Sequence, residues 1–140
     1  MLGLLKQLDQ KKFLRGRLYL SFVLLGLTMV WPAGQWLAFV ALIPLLSYLP
    51  SISSRPAKQV VLDFYFSGVI LCGFANLFLF QVAPENWTIQ LHGWFGIVSR
   101  LMSWVMISFL TALVYGLLGL ILAKIKSNTN RILLLPLLFP

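Results

Sequence analysis

The residues that could do chemistry are concentrated in one polar and aromatic interval, residues 83–99, which separates two long uncharged runs. These runs, residues 64–84 and 101–123, each have roughly the 20 residues that a helix needs to cross the hydrocarbon of a bilayer. The interval therefore belongs at a membrane face, and we expect ligand contacts there or just beneath it. The candidate functional residues of this interval are Trp87, His92, Trp94, Phe95 and Gly96, and Glu85 precedes them.

Two further residues with reactive or polar groups, Cys72 and Asn76, lie inside the uncharged run of residues 64–84. Cys72 is the single cysteine, so an internal disulfide and a four-thiolate zinc site are both excluded. No base or cation lies near it in the sequence, so we predict a small buried hydrophobe. Asn76 would place a carboxamide well inside the bilayer, where it needs a partner. It either borders a functional cavity or makes an interhelical hydrogen bond. We name no catalytic residue, no metal ligand and no cofactor.

The composition identifies an integral membrane protein. Hydrophobic residues make up 60% of the chain and charged residues 10%, and the mean hydropathy is +0.92. Such a chain has too little polar surface to cover a water-soluble globule. The net charge of +8 could suggest a nucleic-acid binder. However, the basic residues lie at the ends of apolar runs, not together on one polar face, so we expect no nucleic-acid partner.

The elements that position these residues begin with residues 1–17, whose leucines share one helical face and whose other positions are basic. This pattern predicts a short amphipathic N-terminal helix at the membrane surface. A secretory signal peptide is the alternative. The apolar run that follows ends in VWPAGQW, which has no convincing cleavage pattern, so we favour an uncleaved anchor.

Residues 18–54 contain no charge and are too many for one span. The WPAGQW segment supplies a turn, because proline removes a backbone donor and glycine permits a reversal. We predict a helical hairpin of Leu14 to Trp31 and Gln35 to Leu49. Pro44 should kink the second helix, its freed carbonyl being satisfied by a neighbouring helix or water.

A second hairpin follows, with helices from about Gln59 to Val82 and from Ser99 to Lys124. Asp63 is expected at the start of the third span. The predicted fold is thus an all-α integral membrane domain of four transmembrane helices over residues 18–124. Residues 131–140 look like the start of a fifth span that is too short to cross a bilayer, so we expect either an interfacial tail or a piece of a longer protein.

The distribution of charge predicts the orientation. With the N-terminus in the cytoplasm, every one of the 11 lysines and arginines except Arg100 lies on the cytoplasmic side. The 5 tryptophans then lie at or near the outer interface, which aromatic rings prefer. Residues 83–99 face outward, on the periplasmic side if the membrane is the inner membrane of a bacterium.

Four short motifs resemble the N-terminal membrane region of bacterial apolipoprotein N-acyltransferase. They are WPAGQWLAFVALIPLLSYL, the pair Gly73-Phe74, Trp87 followed by Phe95-Gly96, and the basic loop that leads into LLLPLLFP. The resemblance covers essentially the whole chain. It implies that the helices support a periplasmic nitrilase-like domain, whose Glu-Lys-Cys triad moves an acyl chain from a phospholipid to the N-terminal cysteine of a lipoprotein.

The chain departs from that family because it contains no nitrilase-like domain, so we expect it to be inactive alone. Cys72 cannot replace the missing nucleophile, since it lies in a span without a nearby lysine. Only Trp87, Phe95 and Gly96 carry over, as a structural or substrate-entrance motif. The expected partners are membrane phospholipid and, besides it, either a lipoprotein substrate or a separate nitrilase-like domain. The alternative is a small four-helix membrane protein with a transporter-like or structural role, disfavoured because Asp63 and Glu85 are expected at span ends.

Overall fold

The computed structural model describes residues 2–31, 34–77 and 94–125, with side chains from Phe13 onward. In these ranges the chain forms four α-helices and no strand. Helices α1 and α2 are Leu2–Val30 and Leu37–Tyr48, and α3 and α4 are Ala57–Ala75 and Trp94–Lys124. A 3₁₀ helix, Leu49–Ser54, joins α2 to α3. The all-α prediction is confirmed for the described residues.

Four segments in the described ranges are long and apolar enough to cross a membrane: Phe13–Val30, Leu37–Ser54, Ala57–Ala75 and Trp94–Lys124. Their outward faces are apolar as well. In α4, the large side chains of Met102, Met106 and Val114 are all more than 60% exposed. A continuous apolar surface of this kind is unfavourable in water and matched by lipid. The prediction of a membrane-spanning protein is therefore confirmed.

The boundaries differ from the predicted ones in three places. Helix α3 begins at Ala57 and ends at Ala75, whereas the predicted helix ran from about Gln59 to Val82. Residues 2–17 are not a separate short helix, because α1 continues without interruption into the first span. No proline occurs between residues 2 and 30 to end it. In addition, α4 begins at Trp94 and not at Ser99. The predicted start of a fifth span at residues 131–140 lies outside the described residues.

The helices pack in the order α2, α1, α3, α4, with the most extensive contact between α3 and α4. Phe22 of α1 links three helices, since its ring makes edge contacts with Phe64 of α3 at 6.3 Å and with Tyr115 of α4 at 5.7 Å. Edge-to-face pairs of this kind add to the energy of area burial. The centre of the bundle is thus aromatic, and α1 and α3 are its inner members.

Glycines bring α3 and α4 together. A β-carbon added at Gly119 would lie 3.1 Å from the Val60 carbonyl oxygen, and one at Gly68 would lie 2.7 Å from the Tyr115 side chain. Neither position has room for a methyl group. Val60 near the start of α3 therefore meets Gly119 near the end of α4, so the two helices run in opposite directions. Such small residues let membrane helices approach closely.

Pro44 lies inside α2 without ending it. The carbonyl group of residue 40 loses its helical donor because proline has no N–H. One residue along the same helix, the carbonyl of Ala41 accepts a hydrogen bond from the Ser21 hydroxyl of α1. A neighbouring helix thus contacts the backbone one residue from the carbonyl that Pro44 leaves without its helical donor, and the expected partner of that carbonyl itself stays a prediction.

Candidate functional site

The predicted entrance residues are only partly described. Trp87 and His92 lie outside the described residues, and their proposed role stays a prediction. Trp94 and Phe95 open α4 and are 74% and 75% exposed. Gly96 lies inside the first turn of α4, which already begins at Trp94, and its role in the entrance motif stays a prediction.

Asn76 follows the last residue of α3 and contacts α4. Its amide nitrogen donates a hydrogen bond to the Ser108 hydroxyl oxygen at 3.3 Å. The sequence left two explanations open for Asn76, a functional cavity and an interhelical hydrogen bond. The described contacts include the hydrogen bond. Ser108 is buried, so the pair joins α3 to α4 in the interior of the bundle.

Cys72 is buried in α3 and forms no disulfide. It lies one turn of helix from Asn76 and next to Gly73. Within residues 2–31, 34–77 and 94–125, no three His, Cys, Asp or Glu side chains lie close enough to hold a metal ion. The polar chemistry of the described part of the chain is concentrated elsewhere.

That chemistry is a buried cluster that we call the Asp63 cluster, formed by Arg15, Tyr48, Arg55 and Asp63. Arg55 Nη1 lies 2.8 Å from one carboxylate oxygen of Asp63, Oδ2. Arg15 Nε lies 3.0 Å from the other oxygen, Oδ1. The Tyr48 hydroxyl donates to Oδ2 at 2.9 Å. Three elements besides α3 therefore converge on one carboxylate.

Burial makes this cluster energetically important. The side chains of Arg55 and Asp63 are 3% and 4% exposed, whereas that of Arg15 is 41% exposed. The Arg55 guanidinium also lies over the Tyr48 ring, 5.0 Å from its centroid. Two guanidinium groups and one carboxylate leave an excess of one positive charge. Removing Asp63 would leave the buried Arg55 guanidinium without a counter-charge, which typically costs several kcal/mol.

Asp63 was expected at the start of the third span, and it lies in the second turn of α3, within the segment Ala57–Ala75 that can span the membrane. The burial of its side chain was not predicted. It can be buried there because α1, α2 and the residue after the 3₁₀ helix supply donors to it. A signal was present: Asp63 is the only acidic residue between Asp9 and Glu85, and arginines occur on both sides of it.

At the opposite end of α3, an apolar groove opens between α3 and α4. We call it the Trp104 groove. Its volume is about 350 Å³ and it is lined by Val69, Ile70, Gly73, Phe74, Leu77 and Trp104. The Trp104 indole nitrogen donates to the Gly73 carbonyl oxygen at 2.8 Å. This bond fixes the indole as one wall and leaves the groove almost free of polar groups.

A β-carbon at Gly73 would lie 3.4 Å from the Trp104 ring, which is an ordinary contact distance. Gly73 is thus the floor of the groove and not a point of forced close approach. The missing side chain leaves space that a neighbouring molecule can fill. Because the groove is open and its lining is apolar, a hydrocarbon chain is the kind of group that would match it chemically.

Compared with protein-family models, with curated proteins and with solved structures, the chain matches none of them.

Proposed function

We propose that this chain is the membrane region of an apolipoprotein N-acyltransferase-like system, and that its Trp104 groove holds an acyl chain of the phospholipid donor. The observation that carries the proposal is the groove itself. It is apolar, it opens between α3 and α4, and it lies at the end of α3 that leads into residues 83–99. The sequence resemblance to that family supplies the reaction.

The proposed orientation puts the Trp104 groove in the outer leaflet. Arg15, Arg55 and Lys58 lie at the end of the bundle that holds the Asp63 cluster, and basic residues favour the cytoplasmic side. Trp94 opens α4 at the other end, and exposed aromatic rings favour an interface. On this basis the chain crosses the inner membrane of a bacterium as two helical hairpins, with its N-terminus in the cytoplasm.

In this proposal a nitrilase-like domain, on the same polypeptide or on a separate one, performs the covalent chemistry. Its cysteine thiolate attacks the ester carbonyl of the phospholipid, which forms a thioester and releases a lysophospholipid. The α-amine of the lipoprotein then attacks the thioester, so an amide forms and the thiol is regenerated. The membrane chain contributes by holding the donor's acyl chain, which orients the ester before attack.

Trp87 and His92 keep their sequence-based role as borders of the entrance for lipid or lipopeptide. The alternative is an aromatic belt with a solvated histidine. The two roles predict different activities. If Trp87 borders the entrance, Trp87→Ala should lower turnover of the complete system at unchanged protein level. An unchanged turnover of both Trp87→Ala and His92→Ala would assign the segment to anchoring.

A structural or transporter-like role is the second candidate, and the buried Asp63 is the observation that favours it. An ionisable side chain inside a span is a common mark of a transport pathway. In this chain, however, Oδ2 of the Asp63 carboxylate accepts hydrogen bonds from Arg15, Tyr48 and Arg55. The other oxygen, Oδ1, forms an ion pair with Arg15 Nε. The described contacts therefore favour a structural tie between helices over a mobile carrier.

The experiment is deletion of the gene in the bacterium that encodes it, followed by mass spectrometry of lipoprotein N-termini. Deletion should increase diacylated lipoproteins at the expense of triacylated ones, and the wild-type gene should restore N-acylation. An unchanged triacylated fraction in the deletion strain would refute the proposed function.

Two glycine variants then test the groove. Gly73→Leu fills the Trp104 groove and should restore N-acylation poorly. Gly116→Leu is the matched control, because Gly116 lines a different groove between the same helices, with Tyr65 and Leu117. A β-carbon there would lie 3.6 Å from Tyr65, which is a similar fit. Equal restoration by both variants at equal protein level would exclude the Trp104 groove as the acyl-chain site.

A further inference from the structure

A second apolar groove lies between α1 and α2, and it has a cation at one end. We call it the Arg17 groove. Its volume is about 450 Å³, and it is lined by Phe13, Arg17, Leu20, Leu24, Val40, Ile43, Pro44 and Ser47. The residues of α1 follow a spacing of three or four, and those of α2 occupy positions i, i+3, i+4 and i+7, so each helix contributes one face. The groove therefore runs along the helix axes.

Arg17 differs from Arg15 in what it contacts. Residues two apart on an α-helix point in roughly opposite directions, so Arg15 faces the Asp63 cluster and Arg17 faces α2. The Arg17 guanidinium lies over the Phe13 ring, 4.4 Å from its centroid. Among the side chains that the structure describes, from Phe13 onward, the one carboxylate is that of Asp63, and its ion pairs are with Arg15 and Arg55 and not with Arg17. The groove thus combines an apolar trough with a positive charge that these residues leave unneutralised.

We propose that the Arg17 groove binds an anionic phospholipid, with one acyl chain along Leu20, Leu24 and Ile43 and the phosphate on Arg17. The guanidinium group suits this role because it donates paired hydrogen bonds to phosphate oxygens. From Arg17 to Leu24 the helix rises about 10 Å. One leaflet of hydrocarbon is about 15 Å thick, so the trough covers most of one acyl-chain layer.

The charge selects the lipid class. A zwitterionic lipid brings an ammonium group with its phosphate, whereas an anionic lipid brings a net negative charge that complements Arg17 and the overall charge of +8. The site lies at the end of the bundle that also holds the Asp63 cluster, far along the helices from the Trp104 groove. It depends on the chain being in a membrane and not on the proposed acyl transfer.

The test is native mass spectrometry of the purified full chain, incubated with equimolar phosphatidylglycerol and phosphatidylcholine of identical acyl chains. The wild type should retain phosphatidylglycerol preferentially. Arg17→Gln should retain it about fivefold less, the factor expected for one basic residue at an anionic surface. Lys58→Gln is the matched control, since Lys58 is exposed at the same end of the bundle but outside the groove.

Two further variants separate the groove from general electrostatics. Ile43→Trp fills the trough and should lower retention of phosphatidylglycerol without changing charge. Arg17→Lys keeps the charge and should keep part of the preference. Equal losses in Arg17→Gln and Lys58→Gln would overturn the site in favour of diffuse attraction. Unchanged retention in Ile43→Trp would overturn the placement of the acyl chain in the groove.

Discussion

The two ends of α3 show opposite ways of building a membrane protein. Near its start, Asp63 draws α1, α2 and the residue after the 3₁₀ helix onto one buried carboxylate. Near its end, the Trp104 groove is open and apolar, and it lies towards the end of the bundle at which the exposed Trp94 and Phe95 begin α4. The charged end is closed by specific partners, whereas the aromatic end leaves space for a molecule from the membrane. We infer that the first end holds the helices in register and the second end meets the ligand.

Asp63→Ala should give the largest effect, because it leaves the buried Arg55 guanidinium without a counter-charge. We expect a loss of about 3–5 kcal/mol in the free energy of unfolding, measured by denaturant titration in detergent micelles. Lys58→Ala, an exposed charge in the same helix, should change it by less than about 0.5 kcal/mol. A loss in Asp63→Ala no larger than that of the control would remove the Asp63 cluster as the tie at this end.

The combined replacement Arg55→Met with Asp63→Leu sharpens the same point. It removes both buried charges, so stability should recover most of the loss. Recovery should be incomplete by about 1–3 kcal/mol, because the buried Tyr48 hydroxyl loses the carboxylate to which it donates. If the double variant is as unstable as Asp63→Ala, the loss comes from packing at position 63 and not from the unpaired guanidinium.

Gly119→Ala should have the next largest effect, because its new methyl group meets the Val60 carbonyl oxygen and the Phe64 side chain. We expect a loss of roughly 1–3 kcal/mol in the free energy of unfolding, as α3 and α4 must separate. Gly16→Ala is the control, since a β-carbon there has nothing within 4 Å. It should stabilise α1 by roughly 0.5–1 kcal/mol. Destabilisation of the same size in both variants would show that close approach does not determine the α3–α4 interface.

Asn76→Ala should have the smallest effect on stability of these variants. Hydrogen bonds between membrane helices average about 0.6 kcal/mol, and we expect a coupling energy of that size between Asn76 and Ser108 in a double-mutant cycle with Ser108→Ala. N-acylation should be unaffected at equal protein level. A large loss of N-acylation without a loss of stability would instead place Asn76 in a functional cavity.

The helices themselves could be predicted from sequence because charge-free runs of the right length leave few alternatives in a bilayer. Their ends were less accessible. The continuation of α1 through residues 2–17 and the extension of α4 beyond Arg100 to Trp94 both carry a helix past the end of an uncharged run, which hydropathy does not report. The first and last residues of the helices therefore become clear only from the backbone of the structure.

The Asp63 cluster could not be predicted from hydropathy either, because it depends on which residues of distant segments meet. Arg15 and Asp63 are brought together only once α1 packs against α3. Likewise, the sequence shows Gly73 only as part of the Gly73-Phe74 motif. Its position as the floor of a groove depends on Trp104 of the next helix. Pairwise contacts between helices, and not the residue types alone, create both sites.

In the proposed orientation, the end of the bundle that holds the Asp63 cluster faces the cytoplasm, and the end at Trp94 faces the compartment in which lipoproteins are N-acylated. Cysteine-accessibility labelling distinguishes this orientation from the inverted one, with Lys58→Cys and Gln90→Cys introduced separately into a Cys72→Ala background. An impermeant thiol reagent should label Lys58→Cys only from the cytoplasmic side and Gln90→Cys only from the outer side. Labelling of Gln90→Cys only from the cytoplasmic side would refute this orientation, because the Trp104 groove would then open towards the wrong leaflet.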